Sequence, residues 1–140
     1  MSEAVRFHFQ VDGEDFTSAG QASVQVKKSL RQLGIAPEII RKVSIAMYEG
    51  EINMVIHAGG GEASVLIYED RIEIVLDDNG PGIPNIELAM QEGFSTAPDN
   101  IRSLGFGAGM GLPNMKRYSD DMKIDSELGK GTRILMTVKL

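Results

Sequence analysis

The chain has 140 residues, enough for one domain with a core of its own. Its net charge of −6 argues against a surface for nucleic acid or anionic membrane, and the lack of cysteine excludes disulfides, thiol nucleophiles and cysteine-ligated metals. No apolar run approaches the roughly 18 residues of a membrane span, and no signal peptide is evident, so we expect a cytoplasmic protein. Without internal repeats or a dividing linker, residues 1–140 are predicted to form a single domain.

The first part of the chain predicts one strand and one helix. Apolar residues alternate over 5–11, which is typical of a half-buried strand with His8 on its solvent side. Helical spacing over 17–33 predicts an amphipathic helix that stops at Gly34. Its polar face is basic and is either solvated or docks an acidic partner; the basic residues are Lys27, Lys28 and Arg31.

A second helix is predicted to begin at Pro37, which suits a first helical turn, and to end near Ala58 at the glycines 59–61. The rest of the chain alternates between periodic and irregular stretches. We predict a hairpin of strands over 63–69 and 71–77, a short helix over 86–91, an irregular lid over 93–111, a helix over 111–119, and strands over 122–126 and 132–140. This order predicts an α+β fold in which a mixed sheet carries its helices on one face.

The second helix carries polar residues on one flank. Glu49, Asn53 and His57 are spaced by four, so they share a face and form either a site or a solvated edge. Glu51 lies well round the helix from Glu49, and we expect it to be a surface acid.

Two glycine-containing turns follow or precede predicted strands. The run Asp78-Asn79-Gly80-Pro81-Gly82 leaves an apolar strand, and it is either an ordinary Asn-Gly turn or a place where a flat ligand approaches the backbone. In the second reading the carboxylate accepts from an exocyclic amine. The run Gly129-Lys130-Gly131-Thr132 opens the last strand, and by itself it predicts only a turn.

Glycine occurs at every second position from Gly105 to Gly111, just before a predicted helix. Each glycine costs roughly 1 kcal/mol inside a helix or strand, so this stretch is neither. It is either a surface loop or a phosphate cradle, in which backbone N–H groups and the helix dipole favour an anion.

The four motifs in this order, Glu-x-x-x-Asn, Asp-x-Gly-x-Gly, Gly-x-Gly-x-Gly and Gly-x-Gly-Thr, resemble the ATP-binding family that unites DNA gyrase B, Hsp90, sensor histidine kinases and MutL. The small size and the sequences flanking the lid resemble most the anti-sigma-factor serine kinases, and among them the switch kinases of stress-signalling modules. The resemblance implies the Bergerat-type fold, a two-layer α/β sandwich with a sheet of about five strands and a glycine-rich ATP lid.

The same resemblance implies roles for individual residues. Asn53 would bind Mg²⁺, which bridges the phosphates of ATP, and Glu49 would act as the base or orient a water beside the γ-phosphate. Asp78 would accept from the adenine amino group, with Thr132 assisting through water. The remaining candidate contacts to ATP would be Gly80 and Gly82 at the base, the lid glycines Gly105, Gly107, Gly109 and Gly111 at the phosphates, and more weakly Lys116.

As implied by the resemblance, the protein would be an anti-sigma regulatory factor and an ATP-dependent serine/threonine kinase. Its substrate would be an antagonist-type protein, with a sigma factor or a phosphatase regulator as further partners and a homodimer as an expectation. Autophosphorylation on His8 or His57 is not expected, since no phosphoacceptor-histidine helix is evident. The main alternative is a nucleotide-gated binding module that sequesters a sigma factor or another regulator without efficient phosphotransfer. A third possibility is a detached ATPase subunit of a larger sensor complex.

Overall fold

The computed structural model of the chain describes residues 5–12, 20–83, 90 and 111–140. The helices are α1 (Gln21–Gln32), α2 (Pro37–Ala58) and α3 (Gly111–Arg117), and the strands are β1 (Val5–Asp12), β2 (Gly60–Ile67), β3 (Arg71–Asp77), β4 (Asp121–Glu127) and β5 (Gly131–Lys139). The predicted helix over 86–91, the lid over 93–111 and the lid glycines Gly105, Gly107 and Gly109 lie outside the described residues.

The strands form one sheet in the order β1-β2-β3-β5-β4. Every neighbouring pair within it is antiparallel, so the prediction of a mixed sheet is wrong. The physical reason is the position of β5. Strands β3 and β4 run in the same direction, but β5 lies between them and is antiparallel to both.

Within the part of the chain that the structure describes, one apolar core joins the three helices to one face of the sheet, which confirms the predicted α+β class and the one-sided packing of these helices. Alternate residues of the inner strands are buried, as their apolar spacing predicts. The strand residues at the centre of the core are Val65, Ile72, Ile74, Met136 and Val138. No described helix has the length and apolar character needed to cross a membrane.

Helix α2 is the longest described helix, and its ends follow from local chemistry. Pro37 occupies its first turn, where the missing N–H costs no hydrogen bond, and Gly59 caps its end with φ +70°. Strand β2 begins at once, at Gly60, because Gly60 and Gly61 already pair with β1. The strand therefore starts three residues earlier than the sequence predicted.

Glu51 is not a surface acid, because only 2% of it is exposed. Its carboxylate accepts from the backbone N–H groups of Gly20 (3.0 Å), Ala22 (3.3 Å) and Ser23 (2.6 Å), which begin α1. Burial raises the pKa of the Glu51 carboxyl, and these hydrogen bonds oppose the rise. Glu51 thus caps α1 from a neighbouring helix and ties α1 to α2.

We expect Glu51→Gln to lower the free energy of unfolding by about 1–3 kcal/mol, because an amide offers one acceptor oxygen and turns an NH₂ toward backbone donors. Chemical denaturation measures the change. Glu69→Gln is the matched control, since Glu69 is exposed in the turn between β2 and β3 and should change stability by less than about 0.5 kcal/mol. Equal effects of the two substitutions would contradict the capping role.

Candidate functional site

A cleft opens where α2 faces the ends of β3 and β5. Asn53 of α2, Asp78 and Gly82 after β3, and Thr132 of β5 all line this cleft. The structure therefore brings together three of the predicted polar site residues, which lie on separate elements. The apolar part of the lining comes from the core side of the same elements and from the loop after β3: Met54, Leu76, Ile83 and Ile134.

The close approach of α2 to β3 depends on a glycine. A Cβ on Gly50 would overlap the Cδ1 atom of Leu76. A side chain at this position would separate α2 from the sheet, unless Leu76 moved within the core. Because Gly50 lies between Glu49 and Asn53 on the helix, it sets how near these two residues come to the loop that carries Asp78.

The Asp78 side chain is held by hydrogen bonds from two backbone amides. Its Oδ1 atom accepts from the N–H groups of Gly80 (3.0 Å) and Thr132 (3.1 Å). The backbone N–H of Asp78 in turn donates to the carbonyl oxygen of Thr132 at 3.0 Å. These bonds fix the carboxylate at the junction of β3 and β5, and no hydrogen bond from the residues that the structure describes reaches Oδ2.

The loop from Asp78 to Ile83 packs on the turn between β4 and β5. The N–H of Gly129 donates to the carbonyl oxygen of Pro81 at 2.9 Å. Gly82 adopts φ +83°, and a Cβ there would lie 2.6 Å from the carbonyl oxygen of Glu127. The absent side chain of Gly82 thus serves contact with this turn as well as the cleft, a role that the sequence alone did not indicate.

Glu49 lies one helical turn from Asn53, which corresponds to about 6 Å along the axis. It is half-buried, and the Nδ2 of Asn114 in α3 approaches its Oε1 at 3.4 Å. Burial raises the pKa of the Glu49 carboxyl, and the hydrogen bond from Asn114 opposes this rise. A carboxylate with a raised pKa is suited to accept a proton near neutral pH.

Two further predicted residues lie on α3. Gly111 is the first residue of this helix, and Lys116 lies in its last turn with an exposed side chain. A cation in the last turn of a helix is favoured by the helix dipole, whatever its other role. Lys116 does not line the cleft, so its contact with phosphate stays a prediction.

Sequence reasoning missed two residues that contact the predicted site. Asn114 approaches Glu49, and Ser126 of β4 contacts Thr132 and the loop after Asp78. A signal for Ser126 was present in the sequence. Strand alternation places it on the same face as Met122 and Ile124, and a hydroxyl on the core side of a strand indicates a buried hydrogen-bond partner. Asn114 lies three residues after Gly111, the last glycine of the run, but nothing in its spacing relates it to Glu49.

The donor set of the cleft fits a magnesium–nucleotide complex. Asn53 offers an amide oxygen, and Mg²⁺ prefers oxygen ligands and keeps several waters, so few protein ligands are needed. The buried Thr132 hydroxyl and the Asp78 carboxylate offer polar contacts beside an apolar lining, the combination common in cofactor sites.

Residues 38–140 match the family described as histidine kinase-, DNA gyrase B-, and HSP90-like ATPase. The serine/threonine-protein kinase RsbT of Bacillus subtilis (strain 168) is 33% identical over 124 residues, which are 86% of this chain and 85% of that protein. An anti-sigma F factor of Clostridium acetobutylicum is 37% identical over 123 residues, which are 84% of this chain and 82% of that protein.

The solved structure of the mycobacterial sensor histidine kinase MprB shares the fold, with a TM-score of 0.55 at 20% identity over 96% of this chain and 97% of that chain. The family model and the two curated relatives confirm the family resemblance predicted from the four motifs. This chain belongs to the histidine kinase-, DNA gyrase B-, and HSP90-like ATPase family, and its curated relatives include anti-sigma factors and a serine/threonine-protein kinase.

Proposed function

We propose that the chain is an anti-sigma regulatory factor and a Mg·ATP-dependent protein serine/threonine kinase. Its substrate is the hydroxyl group of a serine or threonine in an antagonist-type partner protein. The observation that carries this proposal is the pair of Glu49 and Asn53 on one flank of α2, with Asn53 lining the cleft that also contains Asp78 and Thr132. The kinase RsbT and the anti-sigma F factors among the relatives support it.

In this proposal the residues of the cleft have separate roles. Asp78 and Thr132 recognise the base, and Asn53 holds the Mg²⁺ that supplies charge neutralisation at the phosphates. Glu49 accepts the proton of the incoming hydroxyl, and Asn114 orients the Glu49 carboxylate. Phosphoryl transfer needs mainly positioning and charge stabilisation, which side chains held on α2 and at the ends of β3 and β5 can supply.

The second candidate is a nucleotide-gated binding module that sequesters a sigma factor or another regulator without efficient phosphotransfer. Several relatives are named anti-sigma F factor rather than kinase, which favours this alternative. A half-buried Glu49 beside Asn53 favours the kinase, because a pure binder needs no carboxylate at that position.

The deciding experiment is incubation of the chain with γ-labelled ATP, Mg²⁺ and candidate antagonist-type proteins. We expect label on a partner serine or threonine, and we expect EDTA to abolish it. Stable binding of a partner in the presence of nucleotide, without transfer of label to any candidate, would establish the binding module instead. The absence of ATP binding by the wild type would contradict both functions.

A further inference from the structure

Ser126 lies on the core side of β4, half-buried, and is the cross-strand partner of Thr132 in β5. Its hydroxyl oxygen accepts from the N–H of Ile83 at 2.7 Å and lies 2.9 Å from the Thr132 hydroxyl oxygen. Ile83 and Thr132 both line the cleft, whereas Ser126 does not. The Ser126 side chain therefore contacts two lining residues without lining the cleft itself.

The lengths of the contacts around Ser126 favour one direction for the hydrogen bond between the two hydroxyls. A serine hydroxyl has one proton and two lone pairs, and the Ile83 N–H occupies one lone pair of Ser126. The Ser126 proton has two acceptors within reach, the Gly131 carbonyl oxygen at 3.5 Å and the Thr132 hydroxyl oxygen at 2.9 Å. Because O–H···O bonds are usually 2.5–3.0 Å long, Thr132 is the better-placed acceptor of the two, and we assign the Ser126 proton to it.

The consequence for the cleft concerns the proton of Thr132. When Ser126 donates to Thr132, the Thr132 hydroxyl does not donate to Ser126, and its own proton is available to an acceptor in the cleft that Thr132 lines. Thr132 then presents a hydrogen-bond donor next to the Asp78 carboxylate, which presents an acceptor. The acceptor, Asp78, complements the 6-amino group of adenine, and the donor, Thr132, complements N1. Guanine has an oxygen and an N1–H at these two positions, so it would place an acceptor against Asp78 and a donor against Thr132.

We propose that Ser126 is a positioning residue for base selection, which orients the Thr132 proton toward N1 of adenine, directly or through one water. This inference rests on the proposed binding of ATP and adds a residue that decides which purine is accepted. Ser126 does not itself contact the base. It acts through Thr132, and its bond to Ile83 holds the loop that closes the same side of the cleft.

Calorimetry with Mg·ADP, which avoids turnover, tests the proposal on the intact chain. We expect Ser126→Ala to weaken Mg·ADP binding by about 3- to 10-fold, the effect of one net hydrogen bond. We expect the same variant to bind 1-deaza-ADP, in which C–H replaces N1, as well as the wild type binds that analogue. Ser126→Thr keeps the hydroxyl and should restore the preference for ADP over the analogue.

Ser64→Ala is the matched control, because Ser64 lies on the opposite face of the sheet, where its hydroxyl contacts His8 at 2.9 Å. It should bind both ligands like the wild type. An equal loss of affinity for ADP and 1-deaza-ADP in Ser126→Ala would overturn the proposal, since Ser126 would then only support the loop. Unchanged ADP affinity would overturn it as well. If the wild type bound no Mg·ADP, the proposed ATP-dependent function itself would fail.

Discussion

Glu49→Ala is expected to reduce phosphotransfer to a partner serine by about 10²–10⁴-fold, the usual effect of a positioned general base. The affinity for Mg·ATP should stay close to that of the wild type, because in our proposal the carboxylate acts on the incoming hydroxyl and does not hold the nucleotide. Removing a negative charge beside the triphosphate can even tighten binding slightly. Rate and affinity are measured separately, by label transfer and by calorimetry.

Two variants on the same helix sharpen this test. Asn53→Ala should lose Mg·ATP affinity and activity together, because it removes the proposed metal ligand. Glu38→Ala makes the same change as Glu49→Ala at an exposed position in the first turn of α2, and it should behave like the wild type. Transfer at the wild-type rate by Glu49→Ala would show that Glu49 is not the base.

The pH dependence of transfer gives a further readout of Glu49. A base acts in its deprotonated form, so the rate should rise with pH through the pKa of Glu49. Since burial raises this pKa above the ordinary value of 4.5, the midpoint should lie above 4.5. The hydrogen bond from Asn114 opposes the rise, so Asn114→Ala should move the midpoint to higher pH. Glu49→Gln should lack this acidic limb.

Asp78→Asn is expected to weaken adenine nucleotide binding by about 1.5–3 kcal/mol, or roughly 10- to 150-fold, the range for a hydrogen bond to a charged group. Asparagine keeps one oxygen to accept from the amides of Gly80 and Thr132, so the loop should stay in place. The other oxygen becomes an NH₂ group, which cannot accept from the adenine amino group.

The neighbouring residue supplies the control. Asp77→Asn makes the same change at an exposed position at the end of β3, and nucleotide affinity should not change. Both variants are compared with the wild type by calorimetry with Mg·ADP. Equal affinity of Asp78→Asn and the wild type would remove Asp78 from the base-binding site.

Much of the architecture could be predicted because it depends on local chemistry. Pro37 and Gly59 mark the ends of α2 through their backbone preferences, and alternating apolar residues mark the strands. The motif residues Asn53, Asp78 and Thr132 could be named from their order in the chain, and they do line one cleft. Periodicity and turn chemistry are properties of neighbours in sequence, so they can be read without the fold.

The tertiary structure alone decided which element packs against each face of a helix or strand. Periodicity correctly placed Glu51 away from Glu49, but it could not show that α1 begins against that face and presents backbone N–H groups to the carboxylate. Glu51 is spaced by four from both Met47 and Val55, so it shares a helix face with two apolar residues. This spacing was the available sign that Glu51 is buried. Likewise, the contacts of Asn114 with Glu49 and of Ser126 with Thr132 join separate elements.

The antiparallel pairing of the sheet was likewise decided by the tertiary structure. A helix between β3 and β4 in sequence is compatible with parallel neighbours, and the order of the elements does not reveal that β5 inserts between these two strands. The sequence alone determined the apolar face of each inner strand and supplied the candidates for the chemistry. The partners of those residues were set by packing between distant segments, because hydrogen bonds and buried contacts depend on distance in space and not on spacing along the chain.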